Sequence, residues 1–455
     1  MALPQEFSFA TAMKPSSAPA RGYTSRLLPE AGTSFSCGNI VDINIPVGRP
    51  GEHMRSQESS LMFRVKNSGV YAAANGVHTN GVTFDGGAWS LIQKIEVFQG
   101  STLLETISDY NILHGMLYDV TTSSNYRQGV GSIMHGTANV PLGTSTADTL
   151  QGATIRGLSD GAATLATGTV PGEHYVSMQL VSSILGTLNE RVLPVGYLSA
   201  DIRLRIEFAQ METAFIYSGT PVIEIDEVCY NAVIVALDPS VDAGVAQEAS
   251  GGTIAMHSSS FRAYTHTITK DRTYDILSLP VRFSSLRYML HSLQPAANRA
   301  AKTKGSVMAR EKANVKSFQY RLGNLLVPQI PIKVSDTNLA EISEQLLRIF
   351  GRLQTLGDDF GIALTDTSIF AKNDVSTAGD QGTFILGADL NAFGGTLDDL
   401  ANTGQSLLST PCSIEITFGD TTATDCPHDL RVTTFAAFDQ LLILDMTTGL
   451  FSLRF

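Results

Sequence analysis

Ile202, Leu204, Ile206 and Phe208 alternate with Arg203, Arg205 and Glu207. Successive side chains of a β-strand point to opposite faces, so this spacing dictates a strand with one buried and one wet face. The same period recurs along the chain. Val176, Met178 and Leu180 alternate with Ser177 and Gln179, Phe318, Tyr320 and Leu322 with Gln319 and Arg321, and Ile414, Ile416 and Phe418 with Glu415 and Thr417. Further strands are predicted near 38–46, 60–67, 91–98, 102–107, 222–236, 259–269, 274–281, 284–291, 362–370, 383–388 and 432–444. The chain closes in a predicted hairpin. Leu441 to Asp445 and Leu450 to Phe455 flank Met446-Thr447-Thr448-Gly449, where glycine accepts a positive φ.

Only two segments carry helical periodicity. Ile112, Leu113, Met116, Leu117 and Val120 fall on one face behind Ser108-Asp109. Leu339, Ile342, Leu346, Ile349, Phe350 and Leu353 do so behind Ser335-Asp336. Ser and Asp are predicted N-caps, because their oxygens accept the free amides of a first turn. Two helices are too few for a doubly wound α/β fold, which places one between most strands.

These helices expose a repeat. Ile92-x-x-Ile95-x-Val97-x-x-Gly100 precedes a second strand and then Ser108-Asp109. Val315-x-x-Phe318-x-Tyr320-x-x-Gly323 precedes a second strand and then Ser335-Asp336. The two glycines stand 223 residues apart in a chain of 455. A period near half the length means two similar domains, not a solenoid. The run from Asp238 to Ser260 between them is poor in large apolar residues, as linkers are. The expected organisation is all-β: an N-terminal arm (1–34), a first jelly roll (35–237), a linker (238–257) and a second jelly roll (258–455). Each is an eight-stranded sandwich with one short helix after a strand-turn-strand unit.

Composition excludes several classes. Hydrophobic residues are 43% and charged residues 16%, too apolar for disorder and too weakly charged for a coiled coil. With 31 basic and 43 acidic residues the net charge is −12, so strong nucleic-acid binding is not expected. Purely aliphatic runs stop near about five residues, where a membrane helix needs about 20. The opening Met-Ala-Leu-Pro-Gln-Glu lacks the cationic start and apolar stretch of a secretory signal. Cys37, Cys229, Cys412 and Cys426 form no CxxC pair, which argues for buried thiols in a reducing cytosol.

Two tracts interrupt the strand pattern. Residues 121–172 are rich in Gly, Ser and Thr and are predicted as a long loop, either a mobile surface loop or a projection ordered by neighbouring subunits. Arg299, Lys302, Lys304, Arg310, Lys312 and Lys316 face only Glu311, so this stretch is either a solvated loop or a contact with an acidic neighbour or with genome.

Motifs that resemble chemistry lack their context. Gly157-Leu158-Ser159-Asp160-Gly161 matches a nucleophile elbow but has no apolar strand before it and no amphipathic helix after it. Asp359-Phe360-Gly361 spells a kinase metal-binding triplet without the rest of a kinase, and no phosphate loop occurs. His114 and His266 are expected to be structural, Asp358-Asp359 and Asp398-Asp399 to be solvated turns, and Trp89 to pack in a core or interface. No catalytic, cofactor-binding or metal-binding residue is therefore predicted, no cofactor is expected, and the chain is not read as an enzyme.

Several stretches together carry a family likeness. They are Ile95-Glu96-Val97-Phe98-Gln99-Gly100 followed by Ile107-Ser108-Asp109-Tyr110-Asn111-Ile112-Leu113, then Ile276-Leu277-Ser278-Leu279-Pro280-Val281-Arg282-Phe283-Ser284-Ser285-Leu286, then Phe318-Gln319-Tyr320-Arg321-Leu322-Gly323 with Val327-Pro328, and last Phe438-Asp439-Gln440-Leu441-Leu442-Ile443-Leu444-Asp445. In this order, over about residues 35–455, the chain resembles the double jelly-roll major capsid proteins of tailless DNA viruses, the adenovirus-like, Polinton-like and adintovirus-like lineage. The resemblance implies a structural protein that forms homotrimeric, pseudo-hexagonal capsomers of an icosahedral capsid. Its partners would be neighbouring capsomers, penton and minor capsid proteins. It would fold in the host cytosol, assemble in cytoplasm or nucleus, and reside in the virion. Residues 121–172 would suit an outer tower and residues 1–34 an inner arm or a clasp on a neighbour. That arm has three basic and two acidic residues, unlike the basic arms that neutralise genome in RNA-virus capsids. The alternative is a two-domain β-sandwich adhesin or carbohydrate-binding protein, which would call for export, aromatic platforms or calcium-type carboxylate clusters.

Overall fold

The computed structural model describes residues 20–67, 72–74, 77–79, 82–122, 126, 129–136, 172–189, 191–217, 220–248, 252–335, 338–350, 370–377, 382–391, 404–419 and 425–455. Among the described residues eight longer strands frame the first half, with shorter ones beside them: β1 (Ala20–Leu27), β2 (Ile40–Ile45), β3 (Ser60–Asn67), β4 (Ile92–Gln99), β5 (Thr102–Ser108), β6 (Gly172–Met178), β7 (Ile202–Phe208) and β8 (Ile223–Leu237). Eight longer strands likewise frame the second: β9 (Thr253–Ile268), β10 (Tyr274–Leu279), β11 (Leu286–Pro295), β12 (Val315–Leu322), β13 (Leu325–Lys333), β14 (Leu386–Asp389), β15 (Cys412–Phe418) and β16 (Leu430–Asp445). A further strand, β17 (Leu450–Arg454), closes the terminal hairpin on β16.

The first half holds antiparallel sheets in the orders β1-β8-β3-β6 and β2-β7-β4-β5. The second holds β9-β16-β11-β14 and β10-β15-β12-β13. The two halves share one strand order, position for position, so the repeat read from two glycines extends through the whole fold. Both halves are jelly rolls. Alternation is what builds them: Ile202, Leu204, Ile206 and Phe208 of β7 are buried, and so are Cys412, Ile414, Ile416 and Phe418 of the equivalent β15. Gly100 (φ +55°) and Gly323 (φ +61°) turn the equivalent hairpins β4–β5 and β12–β13 in the left-handed region, where a Cβ is strained. One continuous buried apolar cluster runs through both halves.

The helices depart from expectation at their starts. α1 (Tyr110–Thr121) begins after Asp109, but the Asp109 side chain caps nothing. Asn111 Oδ1 accepts the Ile112 N–H at 2.9 Å, and the Asp109 carboxylate is committed elsewhere. In the second half, the helix Ala340–Ile349 starts after Leu339, five residues beyond Ser335. Glu341 of that helix reaches back to accept the Lys333 N–H at 2.8 Å. Asp336 and Leu353 lie outside the described residues.

The expected boundaries also shift. Residues 20–27, assigned to the arm, form β1 and pair with Tyr230 to Leu237 of β8. This edge strand lies mostly in solvent, so its sequence shows no apolar alternation. The linker 238–257 contains a helix, Pro239–Glu248, and the start of β9, held in register by Leu441 to Asp445 of β16. Residues 1–19, residues 137–171 of the long tract, and 362–369 of a predicted strand lie outside the described residues.

Candidate assembly surfaces

The two halves meet along a seam built from β5, α1 and the segment 82–91 on one side and β9, Arg431 at the start of β16 and the stretch 299–313 on the other. Glu105 on β5 is buried there, where a lone carboxylate would be costly. Its Oε1 accepts Ser260 Oγ of β9 at 2.7 Å and the Ser183 N–H at 2.9 Å, and its Oε2 accepts Ser182 Oγ. Asp109, freed from capping, receives Arg431 Nη2 of β16 at 2.7 Å and Gln93 Nε2 at 2.8 Å, with Arg299 at 3.5 Å. Arg310 and Asp119 form an ion pair across the seam with side chains 0% and 1% exposed. Asp85 is wholly buried and accepts the backbone amides of Ser306, Val307 and Met308. Burial pushes its carboxyl up to about 6 against the pull of those amides. At the far end, Gln99 donates to the Gly449 carbonyl at 2.8 Å and accepts the Phe451 N–H at 2.7 Å, which docks the terminal hairpin onto the first half.

These contacts decide between the two readings of the basic stretch 299–316. Arg310, Glu311 and Lys312 are buried, and the acidic neighbour is the first half of the same chain. The solvated-loop reading holds only for outlying residues such as Lys302 and Lys316.

Two seam strands recur with apolar side chains exposed among the described residues. β13 is the counterpart of β5 and exposes Leu325 (70%) and Ile330 (75%). β1 is the counterpart of β9 and exposes Tyr23. β5 and β9 are thus joined inside the chain, while their counterparts β13 and β1 expose apolar side chains among the described residues.

The residues singled out in sequence scatter. Ser159 with its elbow, Asp358-Asp359-Phe360-Gly361 and Asp398-Asp399 lie outside the described residues. Trp89 is buried beside the seam, stacked on His114 with ring centroids 5.1 Å apart and packed on Tyr118 at 4.3 Å. Burial lowers His114 to about 3 and keeps it neutral. His266 lies on β9 and is also lowered by burial. The four thiols are unpaired with one another, and burial raises Cys37, Cys412 and Cys426 to about 12, which suppresses the reactive thiolate. A grouping that sequence reading missed is Glu311, Asp374 and His428, which converge from three separate segments. Their distance along the chain leaves no spacing signal to find.

No protein-family model matches the sequence, and no curated protein matches it. Solved structures match along essentially the whole length. A chain of the Sputnik virophage structure determined by cryo-EM has a TM-score of 0.59 at 11% identity, covering 100% of this chain and 92% of that one. A chain of the quasi-atomic PBCV-1 virus capsid gives 0.55 at 12% identity, covering 98% and 99%. The crystal structure of the mavirus major capsid protein gives 0.53 at 12% identity, covering 100% and 95%. At such identities the likeness is one of fold, and the fold is the double jelly roll.

Proposed function

We propose that this chain is a major capsid protein, three copies of which close into a pseudo-hexagonal capsomer of an icosahedral DNA-virus shell. The observation that carries the reading is the seam together with its uncovered counterpart. Inside the chain, β5 and α1 of one jelly roll meet β9 and β16 of the next. β13 and the helix after it repeat the first of these surfaces, and β1 and β8 repeat the second. Joining β13 of one copy to β1 and β8 of another therefore reproduces a contact the chain already makes. Such a contact is heterologous, and repeated with a rotation that closes, it makes a ring. Two jelly rolls per chain and three chains supply six similar edges for neighbouring capsomers. The fold shared with the mavirus major capsid protein and the PBCV-1 capsid supports the same reading.

In this reading the N-terminal arm expected over 1–34 includes β1, the tract 121–172 contributes to an outer projection, and penton and minor capsid proteins fill the remaining contacts. The chain resides in the virion, has no catalytic task, and binds nucleic acid weakly because of its net charge of −12. Light scattering of the purified protein tests the proposal. Three chain masses per particle, with triangular or hexagonal outlines in electron micrographs, are expected. A stable monomer at micromolar concentration overturns it.

A further inference from the structure

Three metal-ligating side chains meet in the second half. Glu311 lies on the stretch that crosses the seam, Asp374 in the segment 370–377, and His428 on the approach to β16. One ligand atom of each lies within 4.8 Å of the other two. The Glu311 side chain is wholly buried, with Oε1 facing His428 Nε2 and Oε2 accepting the Val375 N–H at 2.8 Å. Asp374 Oδ1 stands 4.0 Å from His428 Nδ1, and both side chains are reached by solvent. One carboxylate is therefore fixed by a backbone amide, while the other two ligands border an open side.

Burying a carboxylate is costly, and positive charge beside it offsets part of that cost. Here the Glu311 carboxylate faces the His428 ring, and a divalent ion held between Glu311, Asp374 and His428 supplies positive charge at the same place. Bonds of about 2.1 Å place tetrahedral ligands about 3.4 Å apart, within reach of small side-chain rotations here. One imidazole and two carboxylates suit zinc-type ions. Calcium takes six to eight oxygens, and magnesium keeps most of its water.

We infer that Glu311, Asp374 and His428 form a binding site for a zinc-type divalent cation, with water completing the shell. The ion ties together the seam-crossing stretch, the segment 370–377 and the entry to β16. That stretch also carries Arg310 and the amides that hold Asp85, so the ion braces the joint between the jelly rolls. The inference does not depend on the capsomer reading.

The test uses full-length protein stripped with a chelator. Zn²⁺, Mg²⁺ and Ca²⁺ are titrated separately by calorimetry, and thermal unfolding is followed with and without Zn²⁺. The expected result is one Zn²⁺ per chain, a raised Tm with Zn²⁺, and little response to the other two ions. Binding falls at least about tenfold in His428→Gln and in Asp374→Asn, and again in mild acid, where protons compete. Gln keeps a donor for Glu311, and circular dichroism of the stripped variants establishes that they fold. Co²⁺ should show a spectrum without thiolate charge transfer, since Cys426 lies close by. Absence of saturable Zn²⁺ binding, binding unchanged in both folded variants, or a thiolate–Co²⁺ band each overturns the site.

Discussion

β8 and β16 are the same strand of the same sheet in two jelly rolls, yet they are buried differently. Phe435, Ala436, Ala437 and Phe438 of β16 are buried in succession, so both of its faces are covered there. β8 buries a shorter run, Val228, Cys229 and Tyr230, leaves Glu227 beside it exposed, and is only half-buried from Val233 to Leu237. The first half reaches β16 at its start, where Arg431 meets Asp109, and its later residues pack within the second half, as Phe438 does on Phe283. The hairpin strands tell the converse story. β5 buries Leu104, Glu105 and Ile107, while β13 leaves most of its residues in solvent. Burial at these positions is set by the neighbour and not by the fold. Pro328 and Pro331 remove amide donors from β13, an edge strand, and so discourage indiscriminate strand pairing.

The comparison predicts its own breaking points. The largest effect is expected on the open surface. Leu325→Asp with Ile330→Asp should weaken association by on the order of 5 kcal/mol and convert trimer to folded monomer, read by light scattering and circular dichroism. If the trimer survives both charges, β13 is not a subunit contact.

The sealed surface responds in stability instead. Asp119→Ala leaves the buried Arg310 guanidinium without its ion pair and should destabilise the chain by about 3–5 kcal/mol, measured by denaturant unfolding. An exposed pair such as Arg348–Glu344 should give less than about 1 kcal/mol.

Asp85 adds a pH dependence peculiar to the seam. Its carboxyl is raised from 3.8 to about 6, so the folded chain holds the proton more tightly than the unfolded chain. The stability this confers is complete below about pH 4 and disappears as pH rises through about 6. The difference is of the order of 3 kcal/mol. Asp85→Asn should abolish that slope in unfolding curves taken across the window. A slope that persists in the variant assigns it to other groups.

The smallest effects test the repeat itself. Gly100→Ala and Gly323→Ala both force alanine into the left-handed region and should each cost about 1 kcal/mol. Gly323 should suffer more, because its Cβ meets Thr410 Cγ2 at 3.0 Å, whereas that of Gly100 meets only Ala200 at 3.6 Å. Tm values that rank the other way would show that the two turns are not equivalent.

The amino-acid sequence by itself determined the strands with one wet face, the two glycine hairpins and the duplication. Each rests on a local pattern, a period of two or a residue that tolerates positive φ, that needs no distant partner. β1 escaped because an edge strand in solvent is under no pressure to alternate, and its register comes from β8 some 200 residues away. Asp109 looked like a cap because the residue type fits one, but two arginines outbid a single amide for its carboxylate. Arg299 and Arg431 stand 190 and 322 residues beyond it. The basic stretch 299–316 reads as solvent-facing until Asp119 and Asp85 are brought against it. Which surfaces are sealed within the chain and which stay exposed was decided by tertiary structure alone. A strand carries the pattern of its own sheet, but the element laid against its outer face is chosen by how two jelly rolls dock.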